Sequence, residues 1–225
     1  MGKWIRLLNK WQAHQTIMVG RVKKTRMYDP LHLVKQLPDF RAIKLWFGKL
    51  RHDKRNDAIL TAVADELASQ GVTLIDSRKY IPEQMADLGP MTATPPSTEQ
   101  TADINFALPI IERMGDLDLG QSIAVRDREI IAVEAIEGTD KMIKRAGELC
   151  KRGGWTLLKI AKPNQDMRFD VPTIGLNTIE NLKANNAACL AVEAGKVIMA
   201  DKPAIITAAQ KAGITIIGIQ PSSTI

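Results

Sequence analysis

The stretch SIAVRDREIIAVEAIEGTDKMIKRAGELCKRGGWTLLKI, residues 122–160, decides the fold. Two apolar runs, at 122–125 and 129–133, flank a short polar turn, which predicts a β-hairpin. Residues 139–150 then follow a helical period, and residues 155–160 form an apolar run of the length of a buried strand. The order hairpin, helix, strand predicts an α/β fold.

A second stretch repeats this order further along the chain. Residues 188–192 and 196–199 flank a glycine-containing turn and predict another hairpin. Residues 202–211 then predict a helix, and 214–218 a strand. We interpret the two stretches as a weak internal repeat. The connection between them, residues 163–178, is long for a compact domain, and loops of that length often carry function.

The segment LGPMTATPPSTEQTAD, residues 88–103, is rich in Pro, Thr and Ser and predicts a domain boundary. We therefore divide the chain into an N-terminal domain, 1–92, and a C-terminal catalytic domain, 93–225. The N-terminal part also alternates helix and strand. Its predicted helices span 3–13 and 57–69, and its predicted strands span 16–19 and 72–75.

Composition and length suit a globular protein. The chain has 225 residues, of which 45% are hydrophobic and 25% charged. No run of 18 apolar residues predicts a transmembrane helix, and no secretory signal follows Met1. We therefore expect a cytoplasmic protein.

The positive charge is concentrated at the start of the chain. The net charge is +6, yet residues 1–57 contain 14 Lys or Arg against 4 Asp, so the remainder carries −4. Trp4, Trp11 and Trp46 lie in the same segment. Basic and aromatic residues together suit nucleic acid, a phosphorylated substrate or an acidic membrane. A solvated helix face is the alternative interpretation.

Several kinds of site lack their usual signatures. His14, His32 and His52 have no ligand spacing, and Cys150 and Cys189 are expected to be buried free thiols. Neither a nucleophile elbow, nor a P-loop, nor a dinucleotide-binding fingerprint is present. These absences argue against serine hydrolases and nucleoside triphosphatases.

The most concentrated polar segment is KPNQDMRFDVPTIG, residues 162–175. If its centre is extended, Asp166, Arg168 and Asp170 point the same way, because strand side chains alternate. Two carboxylates and an arginine could hold Mg²⁺ and a phosphate oxygen together. Thr173 and Gly175 would allow a substrate to approach the backbone closely. The alternative is a surface ion-pair cluster, which stabilises little.

A second candidate is EGTD, residues 137–140, between a strand and a helix. Thr139 or Asp140 could cap the helix, whose N-terminal amides favour an anion. Gly138 would let the backbone come close to a ligand. Plain helix capping is the alternative interpretation.

Three motifs together carry a family resemblance. They are AVEAIEGTDKM at 132–142, AKPNQDMRFDVPTIGLNT at 161–178 and LAVEAG at 190–195. In order and spacing they closely resemble the UDP-2,3-diacylglucosamine pyrophosphatase family of lipid A biosynthesis. The resemblance extends through MVGRV at 18–22 and DAIL at 57–60, and so covers nearly the whole chain.

The resemblance implies a hydrolase that depends on Mg²⁺ and acts on a UDP-linked acylated glucosamine. Such an enzyme cleaves the diphosphate of UDP-2,3-diacylglucosamine and releases UMP and 2,3-diacylglucosamine 1-phosphate, lipid X. It also implies that Asp170 is essential. The catalytic residues carried over are Asp170, Asp166, Arg168 and Lys162, of which Asp170 and Asp166 would bind the metal. The residues carried over for substrate binding are Glu137, Gly138, Thr139, Asp140, Gln165, Thr173 and Gly175.

The family opens with a glycine-rich turn in a Rossmann-like first domain, and this chain resembles it from a point about 60 residues later. We therefore expect a shortened Rossmann-like domain, followed by an α+β domain of repeated hairpin-helix-strand units. Exposed strand edges in a shortened domain favour a homo-oligomer. The basic, Trp-bearing first segment predicts a peripheral contact with the cytoplasmic face of the inner membrane.

Two other functions stay open at this point. One is a catalytically impaired protein of the same family that binds a UDP-sugar or lipid without cleaving it. The other, from charge alone, is a nucleic-acid-binding module, which a steep salt dependence of binding would reveal. The family resemblance favours the hydrolase, with no nucleic acid as partner.

Overall fold

A computed structural model describes residues 1–20, 40–48, 50–51, 56–163 and 165–221 of the chain. Helices and strands are mixed along it, which confirms the α/β class. The predictions made for His32 and His52, and for the side chain of Trp46, lie outside the described residues.

The chain forms two compact units. Unit 1 contains Met1–Lys79 together with Asp166–Asp170, and unit 2 contains Tyr80–Gln165 and Val171–Ile225. The division falls earlier than residue 92, because Gly89–Pro90 is hydrogen-bonded to the sheet of unit 2. The proline-rich segment is thus part of the second unit.

Unit 1 contains three described helices and two short strands. They are α1 (Gly2–Lys10), β1 (Gln15–Thr16), α2 (Phe40–Phe47), α3 (Asn56–Ala68) and β2 (Thr73–Leu74). Strands β1 and β2 pair in parallel. Ile5, Leu67 and Val72 form one buried cluster in this unit, and Leu45, Leu50 and Ala62 form another.

Unit 2 contains the large sheet. Its helices are α4 (Thr98–Asp116), α5 (Thr139–Leu149), α6 (Leu176–Ala184) and α7 (Lys202–Ala212). Its strands are β3 (Gly89–Pro90), β4 (Ser122–Arg126), β5 (Glu129–Val133), β6 (Trp155–Lys159), β7 (Thr173–Ile174), β8 (Ala187–Glu193), β9 (Ile198–Met199) and β10 (Thr215–Ile219). A short 3₁₀ turn, Pro82–Gln84, lies in unit 2, and another, Ser77–Tyr80, crosses the boundary between the units. Among the residues described, no helix has the length and apolar character needed to cross a bilayer.

Six strands form one sheet in the order β3-β10-β8-β6-β4-β5. Strands β10, β8 and β6 are parallel, whereas β3, β4 and β5 pair antiparallel with their neighbours. Every residue of β6 is buried, as expected for a strand covered on both faces. Helix α4 packs on one face of the sheet through Ile104, Ala107 and Ile111, and α5, α6 and α7 pack on the other.

The first predicted hairpin is confirmed. Strands β4 and β5 pair antiparallel, and the turn residues Asp127 and Arg128 have φ values of 52° and 57°. Positive φ at both central residues is the conformation that matches the twist of a two-residue hairpin. Asp103 on α4 accepts a hydrogen bond from the Arg128 backbone N–H at 2.7 Å and holds the turn.

The second predicted hairpin is wrong. Strand β8 pairs with β6 and β10, whereas β9 pairs in parallel with β7 in a separate two-stranded sheet. The reason is that β8 is buried nearly throughout and is used as a central strand, so its edges are already occupied. The connection 163–178 is correspondingly not a plain loop, since it contains β7 and the start of α6.

The sheet brings the ends of three strands, two of which lead into the motifs, to one edge. Ser122 of β4 is the register partner of Lys159 of β6, which in turn is the partner of Val192 of β8. These positions lie at the carboxyl ends of the parallel strands β6 and β8. In open α/β sheets, ligands bind outside this edge.

Candidate active site

Residues Asp166–Asp170, which belong to unit 1, form a tight turn. The Asp170 N–H donates to the Asp166 carbonyl at 3.1 Å, and the Arg168 N–H donates to Asp166 Oδ1 at 3.0 Å. The extended conformation, on which the alignment of Asp166, Arg168 and Asp170 was conditional, is therefore not present. The Asp166 side chain accepts from the backbone two residues ahead, and this local bond favours a turn over a strand.

The Arg168 guanidinium lies against the Asp166 carboxylate. Its Nε is 3.0 Å from both carboxylate oxygens, and Nη2 also donates to Oδ2. These hydrogen bonds from Arg168 lower the pKa of Asp166, against an opposing effect of burial. Asp76 and Arg78, also in unit 1, form the same arrangement, and Arg78 lowers the pKa of Asp76.

Asp170 differs from Asp166 in its surroundings. The residue is half-buried, and no described residue donates a hydrogen bond to its carboxylate or forms an ion pair with it. Asp170 is thus the carboxylate of this motif that is available to a substrate or a water molecule.

The donor set fits a cation that arrives with the substrate better than a resident one. Among the described residues, no group of three or more His, Cys, Asp and Glu side chains could hold a metal ion. Both oxygens of Asp166 accept from Arg168, which leaves Asp170 as the available oxygen donor. Mg²⁺ commonly takes one or two carboxylates and completes its shell with substrate phosphates and water.

Lys162 and Gln165, in unit 2, are held to each other and to the end of α4. The Gln165 side chain accepts from the Lys162 N–H at 2.9 Å. The Lys162 ammonium pairs with Asp118 at 2.6 Å, with only 12% of the lysine side chain exposed. Its positive charge is therefore largely balanced within the protein, and Asp118 is a partner that the sequence did not reveal.

The EGTD element lacks the side-chain helix cap that was predicted for it. Gly138 is the N-cap of α5 with φ 82°, a conformation that favours glycine, and the helix has no side-chain cap. Thr139 and Asp140 therefore do not cap it. Glu137 accepts from Arg145 at 2.6 Å and from the Ala135 N–H at 3.2 Å, which ties the loop to the helix.

The remaining predicted positions lie on neighbouring elements of unit 2. Asp140 accepts from Asn181 of α6 at 3.3 Å. The Thr173 hydroxyl donates to the Val171 carbonyl at 3.0 Å, and Gly175 is the N-cap of α6. Gly175 has an ordinary extended φ, and a Cβ there would meet nothing within 4 Å, so an approaching group would find open space.

A buried polar cluster next to this element contains residues that the sequence analysis missed. Lys159, 3% exposed, donates to the Thr139 hydroxyl at 2.9 Å and lies 3.5 Å from the Ser122 hydroxyl. Thr139 donates in turn to Glu134 Oε2 at 3.1 Å, and Glu134 is 8% exposed. The signal in the sequence was a charged residue at the end of an otherwise apolar strand, as in WTLLK and IIAVE.

Glu193 follows the same pattern at the end of β8. It is 4% exposed and accepts from the Ala161 N–H at 2.8 Å, while its other oxygen pairs with Lys196 at 2.7 Å. The carboxylate thus fixes the start of the segment that leads to Lys162. Its sequence signal, the AVE of residues 191–193, repeats the AVE of 132–134.

The predicted residues therefore divide into two groups, each described within its own unit. Thr139, Lys162 and Gln165 lie in unit 2, where Lys159 and Glu134 bind Thr139, Asp118 pairs with Lys162, and Gln165 bonds the Lys162 backbone. Asp166, Arg168 and Asp170 lie in the turn that belongs to unit 1. Asn164, within the same motif, lies outside the described residues.

Comparison with known proteins covers both units. Residues 1–84 match the family model of the LpxI N-terminal domain, and residues 87–217 match that of the LpxI C-terminal domain. The chain is also 33% identical over 193 residues to a UDP-2,3-diacylglucosamine pyrophosphatase LpxI of Caulobacter vibrioides. That alignment covers 82% of this chain and 69% of the relative.

Proposed function

The chain belongs to the LpxI family, and from this premise we propose that it hydrolyses the diphosphate of UDP-2,3-diacylglucosamine in lipid A biosynthesis. The products are UMP and 2,3-diacylglucosamine 1-phosphate. The enzyme is a hydrolase that acts on a phosphoric anhydride. The reaction consumes one water molecule and breaks one P–O bond of the diphosphate.

The main structural support for this proposal is the environment of the Asp170 carboxylate. Asp170, in the motif DVPTIG, has no described partner for its carboxylate, whereas the other acidic side chains of the two motifs are engaged. A carboxylate with a free lone pair can accept a proton from water and orient it toward phosphorus. We assign Asp170 that role.

The other residues of the motifs bind and orient the substrate. Hydrolysis of a diphosphate places negative charge on the phosphate oxygens, and cations must balance it. Arg168, two residues before Asp170 in the turn, uses Nε and Nη2 for Asp166, and its remaining N–H groups would donate to a phosphate oxygen. The open backbone near Gly175 accepts a substrate group without a steric clash.

We include Mg²⁺ in the proposal as a cation that the diphosphate and Asp170 would hold together. When bound, Mg²⁺ neutralises phosphate charge and polarises the P–O bonds. Asp166 would also bind the cation only if Arg168 released the Asp166 carboxylate. EDTA is expected to stop turnover, and added Mg²⁺ is expected to restore it.

The test is direct product analysis. Purified protein is incubated with UDP-2,3-diacylglucosamine and Mg²⁺, and UMP and 2,3-diacylglucosamine 1-phosphate are measured by mass spectrometry. We expect the two products in equal amounts. Tight binding of the substrate with no product would contradict the proposal and would indicate a binding protein of the same family.

We also propose a peripheral contact between unit 1 and an anionic lipid surface. Trp4, Leu7 and Trp11 follow one another at helical spacing and are 59%, 36% and 67% exposed, while Ile5 on the same helix is buried in the unit. Helix α1 therefore presents an apolar stripe outward. The basic residues Lys3, Arg6 and Lys10, on or beside the stripe, are exposed. Each basic side chain near an anionic membrane contributes about 1 kcal/mol.

Vesicle binding tests this contact. The protein should cosediment with vesicles that contain phosphatidylglycerol and much less with phosphatidylcholine vesicles. The variant with Trp4→Ala and Trp11→Ala should lose binding, whereas Tyr80→Ala, an equally exposed aromatic position in unit 2, should retain it. Equal vesicle binding by the two variants would contradict the proposal that α1 makes the lipid contact.

We retain the Rossmann-like description of unit 1 as a proposal. Strand β1 pairs in parallel with β2, and α3 leads directly into β2. A parallel pair with a crossover helix is the unit from which such folds are built.

A further inference from the structure

Lys159 is the most deeply buried charged side chain near the candidate site. It ends β6, with 3% of the residue exposed, and its backbone lies between β4 and β8 in the sheet. A buried ammonium is costly unless hydrogen bonds and an opposite charge compensate it. The Thr139 and Ser122 hydroxyls, at 2.9 and 3.5 Å, supply part of that compensation.

The contacts of Lys159 fix the direction of the hydrogen bonds around Thr139. An ammonium can only donate, so the Thr139 oxygen accepts from Lys159. A carboxylate can only accept, so the Thr139 proton points to Glu134, 3.1 Å away. Lys159, Thr139 and Glu134 thus form an ordered chain with one positive and one negative end.

This chain joins three elements at one point of the sheet. Glu134 follows β5, Thr139 is the first residue of α5, and Lys159 ends β6. The loop that carries Glu137 and Gly138 runs between the first two. The position of that loop, at the carboxyl edge where a ligand would approach, therefore depends on the buried Lys159 and Glu134 and on the half-buried Thr139 that links them.

We propose that Lys159 is a positioning residue for the hydrolysis: its ammonium holds the Thr139 hydroxyl, and through it Glu134, so that the EGTD loop has the geometry that the diphosphate requires. The inference rests on the proposed function. Lys159 acts through Thr139 and needs no contact with the substrate. A displaced loop lowers the rate, because even a misplacement of about 1 Å costs roughly 10²-fold.

The experiment compares Lys159→Met with Lys211→Met, the same change at an exposed lysine near the end of α7. We expect Lys159→Met to lower kcat by about 10- to 100-fold with a smaller change in KM, and Lys211→Met to keep the wild-type rate. Urea unfolding of each variant gives the folded fraction, so that loss of structure is separated from loss of rate. If Lys159→Met does not fold, Thr139→Val, which removes only the hydroxyl link, takes its place with the same expectation.

The double variant distinguishes positioning from a merely structural role. If Lys159 acts through Thr139, then Lys159→Met with Thr139→Val loses no more rate than the more impaired single variant. Additive losses would overturn the inference, as would a folded Lys159→Met or Thr139→Val variant with wild-type kcat. A wild-type protein that releases no UMP would overturn the proposed function and this inference with it, whereas an active wild type with unimpaired variants would overturn the inference alone.

Discussion

At the scale of single residues, the polar side chains of the site are set by their nearest hydrogen-bond partners. Arg168 turns back onto Asp166, two residues earlier, and the chain between them is a turn. The residue types were predicted from the sequence, but the alternation expected of a strand was not found. Strand alternation applies only where a neighbouring strand holds the backbone extended, and no such pairing is present at the described residues 166–170.

The ion pair makes a prediction for the pKa of Asp166. Because hydrogen bonds from Arg168 lower this pKa in the folded protein, the pair stabilises the fold above the ordinary carboxyl pKa of about 4 and stops doing so as the pH falls through the lowered value. Arg168→Gln should raise the pKa of Asp166 toward its ordinary value. Carboxyl ¹³C NMR titration measures it, with Arg113→Gln as a control that lies in unit 2. If Asp166 had the same pKa in the wild type and in Arg168→Gln, this would contradict the effect assigned to the ion pair.

Cys189 gives a second prediction at this scale. Burial raises its pKa to about 12, so the reactive thiolate is scarce at neutral pH. Both thiols were predicted to be buried, but Cys150 is partly exposed. In the variant Cys150→Ser, the remaining thiol should react with Ellman's reagent only after unfolding. Rapid labelling of the folded variant at pH 8 would contradict the burial of Cys189.

At the scale of elements, periodicity predicted the long helices and the buried strands but not the pairing of short ones. The predicted strand 129–133 is observed with the same bounds, and the helix predicted at 202–211 differs from Lys202–Ala212 by one residue. Each carries its own pattern of apolar positions. In contrast, β9 has two residues and pairs with β7, far earlier in the sequence. Tertiary contacts, which no local pattern encodes, decide such pairings.

Gly218 shows how tightly β3 is fitted against β10. A Cβ at this position would lie 1.6 Å from the Asp87 carbonyl oxygen, so backbone would have to move. Gly218→Ala should lower the free energy of unfolding by about 1–3 kcal/mol or more, as measured by urea denaturation. Gly175→Ala, whose Cβ would meet no neighbour within 4 Å, should cost less. Equal stability losses in the two variants would contradict the close approach of β3 to β10.

At the scale of the whole molecule, the sequence predicted two parts, but the structure divides the chain at other residues and adds Asp166–Asp170 to unit 1. The basic excess of residues 1–57 and the exposed Trp4 and Trp11 lie in unit 1. The motifs at 137–140 and 162–175, which we propose bind the diphosphate, lie in the later part of the chain. However, the prolines of 88–103 suggested a linker where the structure has β3 and the start of α4.

The candidate site residues were predicted from motifs, whereas the buried side chains that contact them were not predicted. Asp170 and Thr139 belong to segments that the family resemblance identified. Lys159 and Glu193 end apolar strands and Glu134 follows one, and a strand pattern alone does not reveal which strand ends lie together. The link between Lys159 and Glu134 through Thr139 depends on the strand order of the sheet, which is a property of the whole unit.

We propose that Asp170 is the catalytic base for hydrolysis of UDP-2,3-diacylglucosamine, and UMP release by Asp170→Asn tests this role. The matched control is Asp127→Asn, on the β4–β5 turn, where a positive φ accommodates asparagine. We expect Asp170→Asn to lose about 10²–10⁴-fold in kcat with an unchanged melting temperature, and Asp127→Asn to keep the wild-type rate. Wild-type UMP release by a folded Asp170→Asn protein would contradict the claim.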